Sequence, residues 1–426
     1  MTDARWVRGV QHDLLIPADL PTLLEGGPAS LTAAFRAAGV LAEDNAVNEV
    51  LAAEEFEAGG TGKKAILRVA YAAPAPGLPE ELFIKFSRNF DNELWDRARF
   101  LMLSEVSVAQ LASAPGFPVP VPAVMFADVE PESATGLIVT ERIPFGRDGI
   151  EPHHPKCLDH EIADPVEHYA AILRGLARLS GAHRAGRLPE ADKRFPFDRK
   201  RAEPWFGRAI DLETLTRRAV RMFDFVERHP QLFPPNVRDP GLREQFLRDL
   251  PDVIAARDAI TSRLLDNPDF VAFAHWNANI DNCWFDRGPD GVLRAGFLDW
   301  ANAGQLSVAQ SICGAISGAE PRVWDEHLDH LLALYIVEYA AHGGPRLDLT
   351  ELRLHVLLVV ATGVGHATGA AAALPREIDD LDAVTDARDP VFLAHENARI
   401  QLHMTTQMLN VWQTRHLGEI VRSLGT

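Results

Sequence analysis

Hydrophobic and polar positions divide the chain into contrasting textures. Over residues 1–58, Ala, Leu and Glu recur at amphipathic spacing, which predicts a helix at 21–38 and another at 45–56. The run Gly59-Gly60-Thr61-Gly62 is a turn. After it, residues 65–71 (AILRVAY) and 82–86 (LFIKF) read as two strands joined by a Pro/Gly connection, the pattern of an antiparallel hairpin. Residues 92–111 hold no Gly or Pro and predict a helix. Residues 115–122 (PGFPVPVP) must be extended, because each proline fixes φ and turns the residue before it away from helix. Two further strands are expected at 124–127 and 136–143, and a linker at 144–155. Beyond the linker the pattern is helical, at 169–186, 208–228, 242–265 and from 323 onward, with one β island at 270–300.

Strands clustered early and helices late, without βαβ alternation, predict an α+β fold in two lobes. The boundary drawn at the linker gives an N-lobe of residues 1–145, leading helices and β-sheet, and a helical C-lobe of 146–426. A length of 426 residues suits two or three such units, and 47% hydrophobic with 24% charged residues excludes disorder as the main state. The net charge of −18 repels phosphate backbones and anionic lipid. Arg217, Arg218 and Arg221 do not reverse this, since Asp211, Glu213 and Asp224 flank them. Neither nucleic acid nor a membrane is therefore expected as a partner. The weakly polar run 354–374 contains His355, His366 and three glycines and reads as buried helix, not a span. Cys157, Cys283 and Cys313 are few, odd in number and far apart, and no signal-peptide pattern opens the chain; a reducing cytoplasm is the expected location.

The chemistry concentrates in the β island, VAFAHWNANIDNCWFDRGPDGVLRAGFLDWANAG from Val271. A strand at 271–274 leads into a polar loop at 275–281; strands at 282–285 and 292–298 flank a Pro-Asp-Gly turn. Folding the hairpin about that turn is expected to bring Asn282 and Asp299 to one open end. Two side-chain oxygens there would suit a hard cation such as Mg²⁺. An Asn-rich loop can equally be a set of turns whose amides bond the backbone. Lys85 stands in the middle of an apolar strand, either as an edge charge against aggregation or pointing inward at a phosphate. Glu105, on the helix that follows, is either solvated or the partner of an inward lysine. The glycine turn is either a tight turn or a close approach to phosphate. His153, His154, Cys157 and His160 have metal-like spacing in a Pro-rich linker. His183, near a helix end, reads as a packing residue.

In this order the features resemble the aminoglycoside phosphotransferase and choline kinase-like branch of the protein-kinase-like superfamily, over roughly residues 59–318. The motif that carries most of the resemblance is H-G-D-x-x-x-x-N followed by a strand ending I-D-W, which here read HWNANIDN (275–282) and FLDW (297–300). The resemblance implies a two-lobed kinase-like fold with ATP between the lobes. It implies Mg²⁺ on Asn282 and Asp299, and Lys85 on the α- and β-phosphates, paired with Glu105. The turn with Gly60, Thr61 and Gly62 would cover the triphosphate, and residues 140–144, Glu141 among them, would meet adenine. His275 and Asn277 fall in the catalytic loop.

Two positions depart from the family pattern. Its catalytic aspartate falls on Asn277, whose amide can orient a hydroxyl but cannot take its proton. Its later loop-bracing aspartate is absent, with Gln310 and Ser311 in that neighbourhood. Asp281 sits near enough to be considered as a substitute base, although an offset of four residues on a short loop points it elsewhere. The expected function is an ATP/Mg-dependent phosphotransferase acting on a hydroxyl of a small metabolite or antibiotic. The alternative is a pseudokinase-like protein that binds a nucleotide or metabolite. GTP in place of ATP, and a homodimer in place of a monomer, are left open.

Overall fold

The computed structural model describes residues 5–56, 59, 61–204 and 210–424. They form two compact units, Met1–Glu151 with Gly296–Ala303, and Pro152–Ala295 with Gly304–Thr426. The chain thus enters the second unit at residue 152, returns to the first for 296–303, and leaves it again. Neither the exchange nor its position is signalled by composition.

In the first unit a short hairpin, β1 (Trp6–Arg8) and β2 (Leu15–Pro17), leads into helix α1 (Leu20–Ala37). Asp19 caps α1 by accepting a hydrogen bond from the Thr22 backbone N–H at 3.0 Å. The second expected helix is absent. Residues 47–56 form strand β3 (Val47–Phe56), paired antiparallel with β4 (Lys63–Tyr71). Ala, Leu and Glu favour helix in isolation, but ladder pairing overrides that preference. β3 is the edge of the sheet, and its exposed glutamates are the charges that keep an edge unpaired.

The sheet has five antiparallel strands in the order β3-β4-β5-β7-β6, with β5 at Glu81–Phe86, β6 at Val124–Glu130 and β7 at Thr135–Glu141. Residues alternate between its faces. Ala65, Leu67 and Val69 of β4 and Leu82, Ile84 and Phe86 of β5 are fully buried in a core shared with Leu23, Leu31 and Phe35 of α1. The other face is covered at β6 and β7 by helix α3 (Met102–Ala112), through Met102, Val106 and Ala109 against Ala127, Val129 and Ile138. The helix expected over 92–111 is broken into α2 (Glu93–Asp96), a 3₁₀ turn (Arg97–Leu101) and α3.

The second unit is helical around two small β elements. Helix α4 (Pro165–Arg184) begins with Asp164 as cap and Pro165 in its first turn. It packs along the helix Leu328–Ala341 and against strand β8 (Val271–Ala274). The stretch expected as one helix at 242–265 is two, Pro240–Ala255 and Arg257–Leu265. Strand β9 (Cys283–Arg287) pairs with β10 (Leu293–Phe297), and β11 (Gly304–Ser307) pairs antiparallel with β8. The run 354–374, expected as buried helix, is divided between the helices Leu349–Thr362 and Ala370–Glu377 by a 3₁₀ turn at Val364–Thr368. Among the described residues, no helix is long and apolar enough to cross a membrane.

Candidate functional site

Lys85 and its neighbours lie within the first unit. Strand alternation puts Ile84 in the core and Lys85 on the α3 side of the sheet. There its Nζ donates to both carboxylate oxygens of Glu105, at 2.8 and 2.7 Å, and to Oδ1 of Asp299 at 3.2 Å. Lys85 is 7% exposed and Glu105 6%. Burial alone would lower the Lys85 pKa, but the charges of Glu105 and Asp299 outweigh it and raise it above its ordinary value, so the ammonium stays protonated. Lys85 thus points inward rather than into solvent, and Glu105 is its buried partner.

Asp299 reaches this cluster because its segment belongs to the first unit. The Phe297 N–H donates to the Pro120 carbonyl at 3.0 Å, and Trp300 packs edge-on against Phe117. The segment 115–122, expected to be extended throughout, instead turns at 115–116, where Gly116 has φ 88°, and bends at 118–119, and FLDW meets it at Phe117 and Pro120. Asp299 has φ 55°, the left-handed region, where a non-glycine residue is uncommon and an aspartate is among the better tolerated. Its side chain is 38% exposed, in contrast to Glu105.

The glycine turn between β3 and β4 includes Gly59, Thr61 and Gly62; Gly60 lies outside the described residues. Gly62 has φ 58°, and a Cβ there would overlap the carbonyl oxygen of Phe86. Only glycine allows the turn to lie so closely on the end of β5. Glu141, at the end of β7, accepts from the Ala123 N–H at 2.8 Å and ties the carboxyl end of β7 to the start of β6.

Sequence reading passed over Lys64. It is 7% exposed and stands directly opposite Lys85 in the β4–β5 ladder, on the same face, with its Nζ donating to the Thr61 carbonyl. Burial, then the charge of Lys85, lowers its pKa to about 8. The signal was present in the alternation: with Ala65, Leu67 and Val69 facing the core, Lys64 must share the face of Lys85.

The polar loop 275–282 belongs to the second unit. Its entry strand β8 is anchored by α4, since Ser180 Oγ donates to the Phe273 carbonyl and the Phe273 N–H to His183 Nδ1, at 3.2 and 3.1 Å. His183 is thus a packing residue. His275 is fully buried; its Nδ1 accepts from the Asn277 N–H at 3.2 Å, and its carbonyl accepts from Ser311 Oγ at 2.9 Å. Ser311 braces the loop that sequence reading left without a brace, while Gln310 closes the capping box of the helix Val308–Ile316. On the same helix Gly314 lies against the Trp276 carbonyl so closely that a Cβ would overlap it.

Within the loop, Asn282 Nδ2 donates to the Asn277 carbonyl at 2.8 Å, which leaves the amide oxygen as its ligand end. The Asn277 Oδ1 accepts from Asn279 Nδ2 at 2.7 Å, and Asn279 Oδ1 from Ser317 Oγ at 2.7 Å. Asp281 is half-buried, and burial raises its pKa. The residues of 153–160 are distributed among separate partners. His153 Nε2 bonds the Asp281 carbonyl at 2.9 Å, His154 packs on His168 and Phe285, and Cys157 is buried.

No family model matches the chain, and no curated protein matches it. Among solved structures it is similar to a choline kinase from Cryptosporidium parvum, at 12% identity and TM-score 0.45 over 88% of this chain and 93% of that one. It is similar to a Plasmodium vivax ethanolamine kinase, at 12% identity and TM-score 0.44 over 92% and 89% of the two chains. An aminoglycoside-3'-phosphotransferase of type VIII is similar over 73% of this chain and 93% of its own, at 19% identity and TM-score 0.36.

Proposed function

We propose that the protein is an ATP- and Mg²⁺-dependent phosphotransferase that acts on a hydroxyl of a small molecule. The observation that carries this reading is the buried ammonium of Lys85, held by Glu105 and touching Asp299 beside a turn that only glycine can form. A lysine fixed on a strand in this way is a preorganised counter-charge for phosphate, and phosphoryl transfer depends mainly on positioning and charge neutralisation. Asn282 and Asp299 are the oxygen ligands that would hold Mg²⁺. Each by itself offers the kind of oxygen a hard cation takes: the nitrogen of Asn282 is engaged elsewhere, which leaves its amide oxygen, and the Asp299 carboxylate is half-exposed. When bound, the ion supplies neutralisation of phosphate charge. Lys85 would hold the non-transferred phosphates, and Asn277 would orient the acceptor hydroxyl through its amide.

A second reading is favoured by one observation. Asn277 cannot accept a proton, and its Oδ1 already accepts from Asn279. A nucleotide- or metabolite-binding protein without turnover would need no base there. Release of ADP from Mg-ATP, measured across amino-alcohols and sugars for the native chain and for Asn277→Asp, separates the two. Turnover by the native chain, rising roughly 10²–10⁴-fold in Asn277→Asp, is the result expected of a transferase lacking its base. If neither protein turns over while Mg-ATP still raises the melting temperature, the binding reading stands. No thermal shift in either would remove nucleotide use.

A further inference from the structure

The five-stranded sheet has a second face, turned away from Lys85. Lys85 and its ladder partner Ile138 stand on the α3 side, whereas Ile84 and its partner Val139 stand on the α1 side. On that second side a cleft of about 340 Å³ lies among the β1–β2 hairpin, α1 and strands β6 and β7. Phe126 of β6 and Leu137 and Val139 of β7 line its sheet side. The space has a local cause. Helix α1 is broken at Gly27, with φ 58° and ψ −158°, and restarts at Pro28. The restarted helix then presents Ser30, Ala33 and Ala34 to the cleft, side chains too small to fill it. The hairpin beside them is tied down at both ends. Asp128 of β6 is fully buried, and its carboxylate oxygens accept the N–H groups of Gln11 and His12, each at 2.9 Å. Arg5 pairs with Asp19 at the start of α1. The cleft is therefore preformed, apolar and within the roughly 300–1,000 Å³ of small-molecule sites.

Its charged lining is Arg8 and Asp13. Arg8 uses one nitrogen, Nη1, for both of its bonds to Asp13, to the carbonyl at 2.7 Å and to Oδ1 at 3.0 Å. Nε and Nη2 remain as two parallel donors, the fork that matches a carboxylate. Asp13 is exposed, so water and Arg8 already meet its charge. Directly opposite Arg8 in the hairpin is Leu15, an exposed apolar side chain that also lines the cleft. A cation beside uncovered hydrocarbon calls for an amphiphile with an anionic head.

We propose that this cleft binds a medium-chain aliphatic carboxylate, its hydrocarbon against Phe126, Leu137 and Val139 and its head on Arg8. The site does not rest on the nucleotide reading, since no residue lining it belongs to the Lys85 cluster. An apolar cavity of about 150 Å³ takes one benzene ring, so a cleft about twice that size takes a chain of roughly ten carbons.

The test is calorimetric titration of the native protein, Arg8→Gln, Ala34→Phe and Ser30→Leu with hexanoate, octanoate and decanoate, and with octanol and octylamine as head-group controls. Native affinity should rise about fourfold per added methylene. Octanoate should bind more tightly than octanol or octylamine, and Arg8→Gln should lose that preference, a change of about two- to fivefold for an exposed ion pair. Ala34→Phe and Ser30→Leu, which fill the cleft from α1, should each weaken every chain length at least tenfold. No binding by the native protein, or affinity independent of chain length, overturns the proposal. Affinity that rises with chain length yet is unchanged in both filling variants overturns the location. Octylamine or octanol binding as tightly as octanoate overturns the carboxylate.

Discussion

Replacing Lys85 by methionine removes the cation from a carboxylate that has almost no access to water. Glu105 is 6% exposed, and both of its oxygens accept from the Lys85 ammonium at 2.7–2.8 Å. Removal of one member of a buried pair costs about 3–5 kcal/mol when the survivor stays charged. Asp299 adds little, since its side chain is 38% exposed and water can take over. The stranded Glu105 will instead tend to protonate, its folded pKa raised by burial above the unfolded value. For an acid shifted in that direction, stability is fully present below the unfolded pKa and is lost as pH rises through the folded one. Lys85→Met should thus be close to native in stability near pH 4 and about 3 kcal/mol less stable at pH 8. The double variant Lys85→Met/Glu105→Leu, with no buried charge, should recover to within about 1 kcal/mol of native or exceed it. Urea unfolding midpoints of the three proteins at pH 4, 6 and 8 provide the measurement. A single variant as stable as native at pH 8, or a double variant no better than the single, would show that the pair is not coupled as described.

Gly62→Ala places a Cβ at φ 58° against the Phe86 carbonyl and should cost roughly 2 kcal/mol in urea unfolding. It should also weaken the Mg-ATP thermal shift. In the second unit Asp159 is fully buried; its Oδ2 accepts from Tyr169 and the Glu320 N–H, and Oδ1 has no partner. Burial raises its pKa to about 6, so its charged form opposes folding increasingly as pH rises from 4 through 6. Asp159→Asn should therefore leave the melting temperature unchanged at pH 4 and raise it at pH 8, by an equivalent on the order of 2–3 kcal/mol. Ser311→Ala removes a hydrogen bond to the His275 carbonyl and should lower stability by about 1 kcal/mol, read from the same urea curves.

Much of this is legible in the sequence, and what is not has physical causes. Turn chemistry at 59–62 and 289–291 and alternation in LFIKF located the strands, and a lysine amid apolar neighbours marked Lys85. Residues 47–56 were misread because local propensity favoured helix while the ladder with β4 decided otherwise. Lys64 was overlooked because two adjacent lysines after a turn look like solvent-facing charge; only the register shows that one of them faces Lys85. The bracing role of Ser311 could not be read at all, since it depends on a helix packing beside a loop 36 positions earlier. Nor could the return of 296–303 to the first unit, which is a matter of topology and not of composition.

That return has a consequence for synthesis. The first unit begins at the amino terminus, yet the carboxylate of Asp299 and the Phe297–Pro120 bond arrive only after the whole of 152–295 has been made. A nascent chain released at residue 151 would carry the five strands and α3 but lack one of the two acids on Lys85. No single cut, whether made by a ribosome, a protease or an engineer, yields an intact amino-terminal half. The acid that arrives late is the one that only touches the ammonium, while Glu105, which holds it, is made with the first 151 residues.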